Sequence, residues 1–156
     1  MSMTLEKKMA IASVALCLLT PLALLLYFEF TNSYEIKTSL RIQLFFLNLA
    51  RFWTPMIASF ILYTRLRSAA VTSAALLALA LYVFLSYSLL LRDGVQDGSL
   101  IWVIYLIWGG ACFVLSSLIA LFKPAIFIRS AKSAFFSTLI INLLAVPLAI
   151  MIFKTM

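Results

Sequence analysis

Few residues of this chain could do chemistry, and the foremost is Arg51. It stands in the stretch from Ile42 to Tyr63, where nearly every neighbour is apolar and Gln43, Asn48 and Thr54 are the main polar company. If that stretch crosses a bilayer, Arg51 lies about nine residues from its outer end, near the middle of a hydrocarbon layer roughly 30 Å thick at ~1.5 Å rise per residue. A guanidinium there costs at least about 2.5–3.5 kcal/mol. It offers five donors and no acceptor, so it needs carbonyl oxygens or a carboxylate.

Counting depth suggests where those acceptors lie. Asn142 is about nine residues in from Ser133 on the last apolar run, and Gly109 about nine beyond Leu100 on the fourth, so all three fall in one layer ~13–14 Å from an edge. Asn48 is one turn from Arg51 on the same helix, and Thr54 is on its other side. These positions predict an intramembrane polar node of Arg51, Asn48, Asn142 and Thr54. The competing reading has Arg51 reaching outward along its own stem towards Glu29 at the outer end of the first helix.

Other chemistries are poorly supplied. Histidine is absent, and the only acids are Glu6, Glu29, Glu35, Asp93 and Asp97. Neither a Ser-His-Asp set nor a histidine-based metal centre can be assembled, and general acid–base catalysis has little to draw on. Asp93 and Asp97 sit beside Gly94 and Gly98, the composition of a turn. Cys17 and Cys112 lie inside apolar runs without metal-ligand or Cys-x-x-Cys spacing, and read as small hydrophobes. No enzyme activity, metal or cofactor is expected. Arg41, Asn48 and Pro55 could echo the Arg…Asn-x-x-Glu pattern of the small membrane glutathione-transferase and eicosanoid family. Arg51 stands where the acid belongs, however, and one span is extra, so that resemblance fails.

The elements that position these residues follow from composition. The chain is 65% hydrophobic and 11% charged, whereas soluble domains run near 45–50% apolar and about 25% charged. An all-α integral membrane protein is the only class that fits. Spans are expected at about 9–28, 42–64, 68–91, 100–122 and 133–153, forming a single membrane domain over 1–156, a compact bundle of five transmembrane helices. The second run is interrupted by Arg51, and neither half is long enough to cross alone. Charge placement makes it cross. With the N-terminus cytoplasmic and the C-terminus outside, the inner side holds Lys7, Lys8, Arg65, Arg67, Lys123, Arg129 and Lys132, and the outer side Lys37, Arg41, Arg92 and Lys154. That is the bias of the positive-inside rule. It also explains the +7 net charge without nucleic acid, since the basic residues are scattered and form no basic-aromatic patch. The first run is longer than a signal-peptide core and has no cleavage motif, so it reads as a retained helix with a kink expected at Pro21, near its centre. The inner segment 123–132 mixes basic and apolar residues in a pattern suited to lying on an anionic leaflet.

Because lipid is as apolar as leucine, small and polar residues mark the faces that meet protein. Those faces are Ala70, Ala74 and Ala78 on the third span; Gly109, Gly110, Cys112, Ser116 and Ala120 on the fourth; and Ala134, Thr138, Asn142, Ala145 and Ala149 on the fifth. The expected role is that of a small non-catalytic protein of the bacterial inner membrane. It acts through helix–helix contacts with a membrane-protein partner or a second copy, as an accessory subunit or a regulatory, defence or immunity-type protein. In size and layout it is similar to bacteriocin immunity proteins that guard against pore-formers. The rival expectation is a channel or transporter subunit whose anion or polar pathway is lined by Arg51 and Asn142.

Overall fold

The computed structural model describes residues 4–31, 38–66, 68–94, 100–122 and 130–155, and these are helical almost throughout. Five helices follow in order: α1 (Leu5–Thr31), α2 (Thr38–Tyr63), α3 (Ala69–Arg92), α4 (Leu100–Phe122) and α5 (Ala131–Thr155), with one 3-10 turn, Thr64–Leu66, closing α2. α1, α2 (with that turn), α3 and α4 are long and apolar enough to span a membrane. α1, α2 and α5 extend a few residues beyond their expected spans, because a helix continues through its charged flanks into the headgroup layer, while α3 and α4 match theirs to within a residue. Of the segment 123–132, expected to lie on the leaflet, residues 123–129 are outside the described residues, as are residues 32–37 and 95–99.

The bundle is organised around α3. It packs against α1, α4 and α5 and more lightly against α2, while α1 also meets α2, and α4 meets both α2 and α5. The polar node expected around Arg51 would make its helix the core of the bundle. α2 packs mainly on α1 and α4, and the alanine-rich α3 takes the centre. The reason is steric: Ala70, Ala74 and Ala78 are buried, and so are Ala75 and Ala80, so α3 presents a narrow cylinder on several sides. Its first-turn donors are capped by Ser68, whose hydroxyl accepts from the Val71 amide at 3.4 Å. Its last turn closes through the Asp93 and Gly94 amides onto the Leu89 and Leu91 carbonyls. Gly94 takes a φ of +79°, the left-handed conformation that glycine adopts at no steric cost.

Contacts run the length of α3. At its start Ser73 lies 2.7 Å from Ser13 of α1, both buried, and Thr72 donates to the Tyr63 carbonyl at the end of α2 at 3.0 Å. Further along, Tyr87 meets Phe52 edge-on and Phe28 tilted, joining α3, α2 and α1. Between α2 and α4 the approach is close at Gly109, where an added Cβ would sit 3.4 Å from the Ser59 hydroxyl.

Enlarging the α3 faces should therefore overpack three interfaces at once. Ala74→Leu or Ala78→Leu is expected to lose about 1–3 kcal/mol of stability in reversible detergent unfolding. Leu81→Ala, on the exposed side of the same helix, should change it by less than about 0.5 kcal/mol.

Candidate functional site: a polar cluster among α3, α4 and α5

Two residues give α5 its polar features, Asn142 and Pro147. Asn142 is fully buried, and its side-chain amide donates to Ser116 Oγ of α4 at 3.1 Å and to the Thr138 carbonyl one turn earlier at 2.8 Å. Ser116, Thr138 and Cys112 are buried beside it. Pro147 has no N–H, so the Leu143 carbonyl loses its ladder donor. The hydroxyl of Tyr82, from α3, lies 3.0 Å from that carbonyl and equally 3.0 Å from the Asn142 carbonyl. Tyr82 in turn stacks on Trp108 of α4, with ring centroids 4.8 Å apart, and the Trp108 indole donates to Ser86 Oγ of α3 at 2.8 Å. One cluster thus ties three helices together.

Pro21 breaks the α1 ladder at the Cys17 carbonyl, and the adjacent carbonyl, Leu18, accepts from the Trp53 indole of α2 at 3.2 Å. A neighbouring helix thus brings a donor next to this break, and at Pro147 it brings one to the freed carbonyl itself. Tyr63 adds a further link, donating across to the Gly109 carbonyl at 2.8 Å while stacking on Phe113.

The expected node of Arg51, Asn48, Asn142 and Thr54 is not assembled. α5 packs on α3 and α4, whereas α2 packs mainly on α1 and α4, so Arg51 and Asn142 face different surroundings. Asn48 is buried, but Arg51 and Thr54 are exposed, and the Thr54 hydroxyl turns back to the Ala50 carbonyl at 2.6 Å. Depth counting fixed the level of each residue along the helices but not its direction around them. The competing route for Arg51, towards Glu29, is met instead by Arg41: its guanidinium lies 3.9 Å from the Glu29 carboxylate, the one ion pair among the described residues.

Of the small-residue faces, Ala70, Ala74 and Ala78 are buried on α3, Gly109, Cys112 and Ser116 on α4, and Ala134 and Thr138 on α5. Gly110 is exposed, Ala120 and Ala145 are half-buried, and Ala149 is outside the described side chains. Both cysteines are free and buried. Tyr82, Ser86 and Trp108 were not anticipated. The available signal was Pro147, whose freed carbonyl requires a donor at its depth, and Tyr82 lies midway along α3. The cluster offers hydroxyls, an amide and an indole. Asn142 Oδ1 and Thr138 Oγ1 have no partner among the described residues.

No family model matches the chain, and no solved structure matches it. The uncharacterized protein PM1189 of Pasteurella multocida (strain Pm70) is 30% identical over 135 residues, covering 83% of this chain and 84% of that protein. The chain belongs to the same family as that bacterial protein.

Two double-mutant cycles in detergent unfolding test the geometry. Arg51→Leu and Asn142→Leu should be additive within about 0.3–0.5 kcal/mol, whereas Asn142→Leu and Ser116→Ala should couple by roughly 0.6 and at most about 1.7 kcal/mol. Tyr82→Phe should cost about 0.5–1.5 kcal/mol in the native chain. It should cost less in a Pro147→Ala background, where an amide returns to the Leu143 carbonyl.

Proposed function

We propose that this is a small, non-catalytic, multi-pass protein of the bacterial inner membrane that acts through helix–helix contacts with another membrane protein. In this reading α5 is the fifth span, the N-terminus is cytoplasmic and the C-terminus lies outside. The observation that carries it is a division of labour among polar side chains. Between α3, α4 and α5, Trp108 bonds to Ser86 and Asn142 to Ser116, whereas Gln43, Arg51 and Thr54 of α2 are exposed on an apolar face. Polar groups at a lipid-facing surface are costly and mark contact or pathway residues. The family tie to a Pasteurella protein supports the bacterial setting. The positive-inside balance supports the orientation.

The orientation is tested by single-cysteine labelling, since Cys17 and Cys112 are buried. Thr4→Cys should react with an impermeant maleimide only in inverted vesicles, and Lys154→Cys only in intact spheroplasts. The contact role is tested with photo-crosslinking residues at Leu47 and Ala58 of α2, which should each give one discrete heterologous product in cells, while the same residue at Leu89 of α3 should not. An anion conductance in reconstituted vesicles that Arg51→Gln abolishes would identify a channel or transporter subunit instead.

A further inference from the structure

We propose that Arg51 anchors an interface with a different membrane protein, and that this partner presents a carboxylate, from Asp or Glu, on a transmembrane helix at the depth of Arg51. The inference rests on the partner-contact reading above and names the chemistry of that partner.

Arg51 lies near the middle of α2 and is exposed, as are Leu44, Leu47, Thr54 and Ala58 along the same strip of the helix. Successive steps of four and three residues keep this strip on one side of α2, in the manner of a coiled-coil seam. Because all five are exposed, the strip faces away from the helices that α2 packs against. A guanidinium facing hydrocarbon is costly, and a compensating group outside the bundle at the same depth would offset that cost. Pro55 adds a second polar feature at the same residue: it withdraws the amide that the Arg51 carbonyl would otherwise accept.

No described acid of this chain, and so none of a second copy of it, is placed to compensate Arg51. Glu6 is in the first turn of α1, Glu29 faces Arg41, and Asp93 caps α3. Glu35 and Asp97 lie in the sequence between the apolar runs, outside the described residues. A two-fold pairing of α2 strips would also bring guanidinium towards guanidinium, because an isologous interface sets each residue against its own surface patch. Charge complementarity therefore selects a heterologous helix. A carboxylate is the best match in a dry layer, since it accepts two parallel N–H bonds from one guanidinium.

The test uses the full chain, purified and reconstituted in phosphatidylcholine vesicles, with a fluorescent single-span probe: a leucine-rich helix carrying Glu at its centre, or Leu as control. Energy transfer should show the Glu helix associating at least about ten-fold more tightly than the Leu helix. Arg51→Leu should reduce binding to the control level, with Arg51→Lys between. Because Arg51→Leu could disturb folding, Arg51→Glu is paired with a probe carrying central Arg, and restored association supports the proposal. Equal binding of Glu and Leu helices overturns it, as does undiminished binding to Arg51→Leu. Equal binding of the two helices together with Arg51-dependent enrichment of labelled phosphatidic acid would assign Arg51 to a lipid phosphate, and also overturns it. The α2 photo-crosslinks separate this proposal from the reading beneath it. A crosslink lost in a folded Arg51→Leu protein supports both. One that persists in Arg51→Leu keeps the partner and removes the carboxylate anchor. Absence from the native chain itself removes both.

Discussion

In an apolar layer no water is available to a backbone carbonyl that has lost its donor, and this constraint orders most of what is seen in the described residues. Three of the helices contain an internal proline. Each proline deletes an amide and leaves a carbonyl to be satisfied from elsewhere. At Pro147 the donor is Tyr82 from α3, and beside the break at Pro21 it is Trp53 from α2. The helix that supplies a donor must lie against the helix that is broken, at the right depth and facing it. The breaks therefore specify neighbours in a medium where hydrophobicity cannot, because a leucine gains little by exchanging lipid for another leucine.

The central place of α3 follows from the same economy of side chains. A helix surrounded by others must present small groups on several sides, and a run of buried alanines does this without leaving polar atoms to be paired. Where α3 does carry polar groups, they serve its neighbours. Ser73 meets Ser13, Thr72 closes the end of α2, Tyr82 covers the α5 break, and Ser86 accepts from Trp108. Aromatic stacking of Tyr82 on Trp108 holds the tyrosine where its hydroxyl is needed, so packing and hydrogen bonding act on one rotamer.

Helix number and approximate extent were legible in the sequence, because apolar runs bounded by charge are a strong signal in a chain this poor in charged residues. The small-residue faces were legible for a related reason: alanine, glycine and serine at four-residue spacing have little purpose on lipid. The arrangement of helices around one another was not. Arg51 and Asn142 share a layer by residue counting, yet level along a helix says nothing about the direction a side chain faces, and one turn of α2 contains both the buried Asn48 and the exposed Arg51. The polar cluster was half legible. Asn142, Ser116 and Thr138 stood out as polar residues in an apolar setting, whereas Tyr82 and Trp108 passed as ordinary membrane aromatics. Their role becomes visible only when the carbonyl released by Pro147 is followed to its donor.

Arg51 can be understood by contrast with the other exceptions in the helices. Asn142 is as polar in principle, yet its amide is absorbed by Ser116 and by its own helix, so it contributes to the bundle. The breaks at Pro21 and Pro147 each lie beside a donor from the next helix. Arg51 is different in direction: it lies one turn before Pro55 and on the exposed side of α2. Substituting leucine would remove the cost without disturbing a contact described within the bundle. A residue whose cost is not offset inside the structure points outward for its justification, and the only surroundings on that side are lipid and whatever else the membrane holds.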